Sequence, residues 1–241
     1  MINNIRRNSI HLNNNFFLFS ALIILSVIFL LLITACSADS IDNPSANYIS
    51  ETADADYFTL TQKGFSTPIL VSSEDFSGVL RVVNLLQTDI FKVTDAKPEV
   101  INDINRDIKN VVIVGTIGKS PAIDQLIRAN KIDVSDIKGK WETFLIQVVD
   151  DPMPGVDRAL VIAGSDKRST IYGMFDLSER IGVSPWYWWS DVPVKKKSAI
   201  YVKPGRYTLG EPAVKYRGIF LNDEAPALTG WVQDNYGNYN H

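Results

Sequence analysis

The fold class follows from one apolar stretch, Val111-Val112-Ile113-Val114-Gly115, which contains no polar side chain. A strand that is apolar at every position is typical of a parallel sheet covered on both faces. Ser120-Pro121 follows it and indicates a helix start, because serine caps a helix and proline fits its first position. The sequence therefore predicts a strand, a short loop and a helix that continues through Ala129, a unit typical of α/β proteins.

Periodic apolar segments continue on both sides of this stretch and alternate between strand and helix patterns. In chain order they predict strands at 58–60 and 68–71, a helix over 76–90, a hairpin with strands at 141–149 and 159–163, a helix over 167–181 and a strand at 199–202. Ser72 or Ser73 is predicted to cap the first of these helices, with Glu74 and Asp75 in its first turn. Residues 57–205 are therefore predicted to form an α/β (α+β) domain, a mixed sheet with packed helices.

The first 35 residues have the composition of an export signal. Arg6 and Arg7 precede an uncharged apolar run, Phe16–Thr34. The run ends in Ile33-Thr34-Ala35-Cys36, which resembles the lipobox of bacterial lipoproteins. We therefore predict that residues 1–35 are removed, that Cys36 is lipidated, and that the protein is exported and anchored to a bacterial membrane. A retained transmembrane helix is the alternative, since the run is nearly long enough to span a bilayer.

Residues 36–56 are predicted to form a flexible tether between the lipid and the folded domain. The segment is rich in Ser, Asp, Asn and Ala and shows no apolar periodicity.

Charge and side-chain content argue against several classes of function. The net charge is −3, and removal of residues 1–35 takes away two arginines and no acid, which makes it −5. An acidic surface disfavours nucleic acid as a partner, because phosphate binding needs basic patches. The two histidines are His11 and His241, and Cys36 is the only cysteine, so neither a metal site nor a cofactor is predicted. A homo-oligomer is left open.

The loop Gly115-Thr116-Ile117-Gly118-Lys119-Ser120 lies between a strand and a helix, where phosphate-binding loops occur. Two residues separate its glycines, whereas the phosphate-binding motif needs four. A plain strand-to-helix turn is therefore predicted, and nucleotide binding is disfavoured.

A second informative stretch, Lys215–Pro226, has the sequence KYRGIFLNDEAP. It begins as an apolar strand, carries Asn222-Asp223-Glu224 at its tip, and stops at Pro226, which has no N–H to donate. A buried strand with acidic groups at its carboxyl end is typical of a (β/α)8 barrel. Glycines and prolines just before it mark a linker. Residues 206–241 are therefore predicted to be a linker and the first strand of a truncated barrel.

Four consecutive aromatic residues, Trp186-Tyr187-Trp188-Trp189, precede that linker. Aromatic faces stack on sugar rings, but large aromatic side chains also fill the seam between two domains. The sequence does not decide between these interpretations for the cluster as a whole. We predict that Trp188 and Trp189 are the members that contact a carbohydrate.

The segments Asp176–Trp189 (DLSERIGVSPWYWW) and Ile219–Pro226 (IFLNDEAP) together resemble glycoside hydrolase family 115, the xylan α-1,2-glucuronidases. The resemblance runs from about Tyr57 to the end of the chain. It implies an amino-terminal α/β domain followed by a catalytic (β/α)8 barrel. It also implies removal of glucuronic or 4-O-methylglucuronic acid from glucuronoxylan or its oligosaccharides, by inversion and without a cofactor. In the family pattern, Asp223 is the active-site residue and Asn222 lies close to the sugar.

Asp223 and Glu224 cannot both serve as the two carboxyl groups of an inverting enzyme, which stand roughly 6.5–9.5 Å apart. Asp223 is the predicted catalyst with Glu224 as runner-up, and the partner carboxyl group is expected outside these 241 residues. The chain alone is therefore expected to be inactive. The alternatives are ordinary solvated acids at a turn and, for the protein, a carbohydrate-binding surface lipoprotein without chemistry of its own.

Anchoring through Cys36 is directly testable. Cys36→Ser lacks the thiol that carries the lipid, so we expect the variant to leave the membrane fraction or to remain unprocessed. Membrane fractionation and mass spectrometry of the mature amino terminus measure both outcomes. Mature wild-type protein that still begins at Met1 would contradict the prediction.

Overall fold

The computed structural model describes residues 47–104, 108–187, 190–218, 220 and 227–237. The strands in these ranges are β1 (Ile49–Ser50), β2 (Phe58–Gln62), β3 (Phe65–Ser66), β4 (Ile69–Val71), β5 (Val100–Ile101), β6 (Ile108–Thr116), β7 (Phe144–Met153), β8 (Val156–Gly164), β9 (Ala199–Val202) and β10 (Arg206–Leu209). The helices in the same ranges are α1 (Ser77–Thr94), α2 (Pro121–Arg128), α3 (Lys167–Ile181) and α4 (Ala227–Tyr236).

The strands form two sheets. The larger sheet has six strands in the order β10-β7-β8-β6-β4-β5, in which β8, β6, β4 and β5 are parallel and β7 and β10 are antiparallel to their neighbours. The smaller sheet has four antiparallel strands in the order β1-β9-β2-β3. The predicted mixed sheet with packed helices is therefore confirmed, and the smaller sheet adds a layer that the sequence did not indicate.

Strand β6 lies at the centre of the domain because both of its faces are covered. Val111, Val112, Ile113 and Val114 are all fully buried. Successive side chains of a strand point to opposite faces. Accordingly, Val112 and Val114 join a core with residues of α1, α3 and the smaller sheet, whereas Val111 and Ile113 join a core with residues of α2. The unbroken apolar stretch thus serves two cores.

Two of the helices begin and end as the sequence predicts. Ser120 caps α2 by accepting a hydrogen bond from the N–H of Ile123, and Pro121 occupies the first helical position. Gly182 ends α3 in the left-handed conformation, with φ of 118°, which glycine adopts without a Cβ clash.

The start of α1 differs from the prediction. Phe76 occupies the cap position, rather than Ser72 or Ser73, and no side chain caps the helix. Asp75 is buried, and its carboxylate accepts hydrogen bonds from the N–H of Phe76 at 2.7 Å and from the N–H and hydroxyl of Thr116 at 2.8 and 2.9 Å. Asp75 therefore joins the entrance of α1 to the end of β6 instead of sitting in the first helical turn.

The folded domain extends beyond residues 57–205 at both ends. Strand β1 lies within the predicted tether, yet it pairs with β9, and the neighbouring Tyr48 is 2% exposed. Strand β10 lies within the predicted linker, yet it pairs with β7 along its whole length. Composition does not reveal these edge strands, because their hydrogen-bond partners are distant in sequence.

The predicted barrel strand, Lys215–Leu221, is described except at residues 219 and 221, and the structure does not confirm it. Its described residues, 215–218 and 220, lie in no strand, and Phe220 is 91% exposed. Residues 1–46, which carry the predicted export signal and Cys36, also lie outside the described ranges. In the part of the chain that is described, no helix is long and apolar enough to cross a membrane.

Glycine at position 164 is required by the close approach of α3 to the end of β8. A Cβ added to Gly164 would lie 2.2 Å from Thr170 Oγ1 and 2.3 Å from the Thr170 backbone nitrogen. The hydroxyls of Thr170 and Thr116 are 2.8 Å apart, so the same contact also reaches β6. A side chain at Gly164 would therefore separate the helix from the sheet.

We expect Gly164→Ala to lower the free energy of unfolding by about 3 kcal/mol, because overpacking against backbone atoms cannot relax by a rotamer change. Gly210→Ala is the matched control, since a Cβ there meets nothing within 4 Å. Urea unfolding of both variants provides the measurement. Equal stability of the two variants would show that α3 does not approach the sheet this closely.

Candidate functional site

A cleft of about 700 Å³ opens beside α3, the loop that follows this helix and the segment after β10. We call it the α3 cleft. Its apolar wall comes from Phe144, Phe175, Val183, Tyr187, Leu209 and Pro212. Its charged groups are Asp89, Glu142, Asp176, Glu179 and Arg217.

Glu142 is the most deeply buried of these charged groups. Its side chain is 2% exposed, and Oε1 forms an ion pair with Arg168 Nη1 at 2.8 Å. Oε2 accepts a hydrogen bond from the guanidinium of Arg217. Two guanidinium groups thus compensate one buried carboxylate, which would otherwise be strongly disfavoured away from water. The hydrogen bond with Glu142 also raises the pKa of Arg217 above its usual value.

Asp166 begins α3 and at the same time orients the backbone of Glu142. Its Oδ1 accepts a hydrogen bond from the N–H of Ser169 at 2.8 Å, and its Oδ2 accepts one from the N–H of Glu142 at 3.0 Å. The hydroxyl of Ser169 accepts a hydrogen bond from the N–H of Asp166 at 2.7 Å, which completes a capping box. Burial alone would raise the pKa of Asp166, but these hydrogen bonds outweigh it and hold the pKa below its usual value.

The segment after β10 is held against the turn before β7. Glu211 Oε1 accepts a hydrogen bond from the N–H of Trp141 at 3.0 Å, and Arg217 Nη1 donates to the carbonyl of Val214 at 2.6 Å. The Arg217 guanidinium also lies 5.7 Å from the centroid of the Trp141 ring. These contacts, together with the Glu142 ion pair, fix the path of the chain shortly before Asn222.

A second polar contact connects the amino-terminal edge of the domain to the cleft. The hydroxyl of Tyr48 donates a hydrogen bond to Asp176 Oδ2 at 2.6 Å. Burial and the neighbouring Asp176 carboxylate raise the pKa of Tyr48 far above its usual value, so the hydroxyl remains a donor at neutral pH. Asp176 therefore lines the cleft while its Oδ2 atom accepts a hydrogen bond from Tyr48.

The site residues predicted from the sequence, Asn222, Asp223, Glu224, Trp188, Trp189 and Cys36, all lie outside the described ranges. The two described members of the aromatic cluster behave differently. Trp186 is 63% exposed, whereas Tyr187 packs against the core, with Lys92 Nζ 4.3 Å from its ring centroid. Within the described ranges no group of three His, Cys, Asp or Glu side chains is arranged to hold a metal ion.

Sequence reasoning missed Glu142 and Arg217, which are 75 residues apart. A pairing at that distance leaves no periodic pattern. The one available signal was Arg217 itself, because a charged residue interrupts the apolar strand that Lys215–Leu221 otherwise predicts.

Residues 209–241 match the model of glycosyl hydrolase family 115. Among solved structures, the chain is similar to BtGH115A, a family GH115 4-O-methyl-alpha-glucuronidase with specificity for decorated arabinogalactans. The sequence identity is 34% and the TM-score is 0.62, over 76% of this chain and 22% of that chain. The chain therefore spans less than a quarter of the length of this relative.

A weaker likeness connects the chain to the structure of CpGH84D, with 10% identity and a TM-score of 0.40 over 70% of this chain and 24% of that chain. This likeness is too low to support an inference. None of the curated proteins matches the chain.

The Glu142 contacts predict a measurable stability effect. We expect Glu142→Gln to lower the free energy of unfolding by about 1–3 kcal/mol, because the ion pair with Arg168 and the hydrogen bond with Arg217 weaken at once. Amide hydrogen exchange should also become faster in residues 209–218, the segment that Arg217 and Glu211 hold in place.

Asp150→Asn is the control for this variant. Asp150 pairs with Arg158 but is 66% exposed, so its loss should cost less than about 1 kcal/mol. If Glu142→Gln left both stability and exchange unchanged, the segment would have to be held by other contacts.

Proposed function

Because the chain belongs to glycosyl hydrolase family 115, we propose that the protein which carries it is a glycoside hydrolase that removes glucuronic acid or 4-O-methylglucuronic acid side groups from a polysaccharide. The proposal rests on residues 209–241, where the family match coincides with the segment that Glu142 holds through Arg217. The family match covers residues 209–241, and this segment contains both Arg217, held by Glu142, and the acidic tip Asn222–Glu224.

Glucuronoxylan and its oligosaccharides are the substrates that we propose first, since the resemblance in residues 176–189 and 219–226 is to xylan α-1,2-glucuronidases. Decorated arabinogalactans are the second class, because BtGH115A has specificity for them. Both polymers present the same chemical group, a uronic acid at the end of a side branch. The proposal therefore concerns the removal of that group rather than hydrolysis of the main chain.

In the proposed mechanism, Asp223 activates the attacking water or stabilises the oxocarbenium-like centre, and Asn222 orients the sugar by a hydrogen bond. Glu224 is the runner-up for the role of Asp223. A second carboxyl group protonates the leaving oxygen, and it comes from a part of the protein outside this chain. Inversion follows if the two carboxyl groups stand far enough apart to admit water, and acid–base hydrolysis of this kind needs no cofactor.

The α/β domain contributes to this function by positioning the segment that contains Arg217. Glu142, held by Asp166 through its backbone and by Arg168 through its side chain, is the anchor for Arg217. Arg217 precedes Asn222 by five residues in the sequence. The domain thus directs the segment that leads to the proposed catalytic residues, and Trp188 and Trp189 are proposed to stack on the sugar.

The proposed location is a bacterial membrane, to which the exported protein is anchored through a lipid on Cys36, facing the periplasm or on the cell surface. Arg6, Arg7 and the apolar run Phe16–Thr34 support export, and Ile33–Cys36 supports lipidation. An exported hydrolase is consistent with a polymeric substrate.

Asp223→Asn keeps the shape of the side chain but removes its charge and basicity. In the full-length protein that carries this chain, we expect the turnover number on glucuronoxylan oligosaccharides to fall by at least ~10²–10⁴-fold, as for loss of a general acid–base group. Release of free uronic acid is the measurement. Near-wild-type turnover would falsify the assignment of Asp223.

Three controls accompany this variant. Glu224→Gln should affect turnover less than Asp223→Asn, and Asn222→Ala should weaken binding and turnover moderately. The 241-residue chain alone should release no uronic acid. If the full-length protein retained xylan or arabinogalactan but released no product from either, it would be a carbohydrate-binding surface lipoprotein instead.

A further inference from the structure

A second concave surface lies where edges of the two sheets come together, and it shares no lining residue with the α3 cleft. It is a groove of about 710 Å³, which we call the edge groove. Its floor is residues 66–68, which are the end of β3 and the connection to β4. Its walls are the hairpin of β2 and β3, the loop before β5 and the start of β6. A volume of this size is within the ~300–1,000 Å³ of small-molecule sites.

The floor of the edge groove is held in place by its own hydrogen bonds. The hydroxyl of Ser66 donates to the carbonyl of Ala96 at 2.8 Å, and the hydroxyl of Thr67 donates to the carbonyl of Thr59 at 2.6 Å. Both residues are buried. Both hydroxyl groups of the floor are therefore engaged, and recognition of a ligand falls to the side chains of the walls.

The hairpin wall presents an aromatic ring to solvent. Phe65 is 65% exposed although it pairs with Gln62 in the two-stranded ladder. The turn between them, Lys63-Gly64, has φ of 53° and 76°, as in tight two-residue hairpin turns. An exposed aromatic ring at the rim of a concave polar surface is suited to stacking on the apolar face of a pyranose.

The remaining walls carry polar groups that are available to a ligand. Among the described residues, the side chains of Gln62, Lys97, Lys109 and Asn110 take part in no hydrogen bond or ion pair. Among the described lining residues Glu99 is the acid, and Lys97 and Lys109 are the bases, so two ammonium groups stand against one carboxylate in the charge balance. A net positive groove in a chain of net charge −3 favours an anionic ligand.

We propose that the edge groove binds an acidic saccharide, a uronate-bearing sugar unit. Phe65 stacks on the ring, Lys97 and Lys109 pair with the uronate carboxylate, and the amides of Gln62 and Asn110 bind hydroxyl groups. The site is separate from the proposed catalytic segment and involves no chemistry. It would retain the polysaccharide near the enzyme even when the catalytic site is empty.

An anionic membrane surface also attracts lysines beside an exposed aromatic ring. The concave shape of the edge groove and its two amide side chains favour the saccharide, because a flat bilayer surface cannot fill a groove. Vesicle binding is therefore a contrary outcome of the test.

The test is calorimetric titration of the full chain with xylotriose that carries one glucuronic acid, and with plain xylotriose. Lys97→Gln with Lys109→Gln, and separately Phe65→Ala, should each weaken binding of the acidic ligand about tenfold, which corresponds to ~1.4 kcal/mol. Lys138→Gln with Lys195→Gln removes the same charge from exposed positions outside the groove and should leave binding unchanged. Phe91→Ala is the aromatic control, since Phe91 is 44% exposed on α1.

Asp223→Asn separates this site from the proposed catalytic site. Retained acidic-saccharide binding in Asp223→Asn, with loss in the groove variants, supports the edge groove whether or not the protein hydrolyses any substrate. Unchanged binding in both groove variants, or equal binding of plain xylotriose, overturns the proposal. Loss of binding to vesicles with 30% anionic lipid in the groove variants, without any change in saccharide binding, also overturns it.

Discussion

The packing of this domain depends on one buried polar contact, the carboxylate of Asp75 on the N–H and hydroxyl of Thr116. A buried carboxylate without partners is strongly unfavourable, so the entrance of α1 must stay at the end of β6. The Thr116 hydroxyl also lies 2.8 Å from that of Thr170, which brings the first turn of α3 to the same place. Gly164 permits this because it has no Cβ. Two helices and two strands are thereby held at one point.

The same end of α3 also holds the ion pairs of Glu142, one of the residues that line the α3 cleft. Asp166 caps the helix and accepts a hydrogen bond from the N–H of Glu142, and Arg168 reaches the Glu142 side chain from the first turn. Arg217 completes the ion pair from the segment after β10. An uninterrupted series of contacts therefore leads from the buried core to a position shortly before Asn222. The capping of one helix is in this way coupled to the path of the carboxy-terminal segment.

The two concave surfaces differ in chemistry. The α3 cleft combines apolar walls with acidic groups and belongs to the edge of the larger sheet formed by β7 and β10. The edge groove combines an exposed ring, two lysines and two amides, and lies at the β4–β5 side of that sheet. Separate surfaces of this kind would let one domain position the proposed catalytic segment and bind the proposed acidic saccharide without competition between the two.

The amino-acid sequence by itself determined the elements that depend on local patterns. The apolar stretch Val111–Gly115, the Ser120-Pro121 helix start and Gly182 at the end of α3 act through side-chain periodicity and backbone conformation over a few residues. Each of these signals is contained in a short window, and the structure agrees with each. The resemblance to family 115 likewise rested on contiguous motifs.

Tertiary structure alone decided what depends on distant partners. Strands β1 and β10 exist because β9 and β7 offer hydrogen bonds, Asp75 leaves the helix start because Thr116 binds it, and Glu142 is buried because two arginines neutralise it. The local sequence around these residues favours no particular secondary structure or degree of burial. The free energy that fixes them comes from groups that meet only when the chain folds.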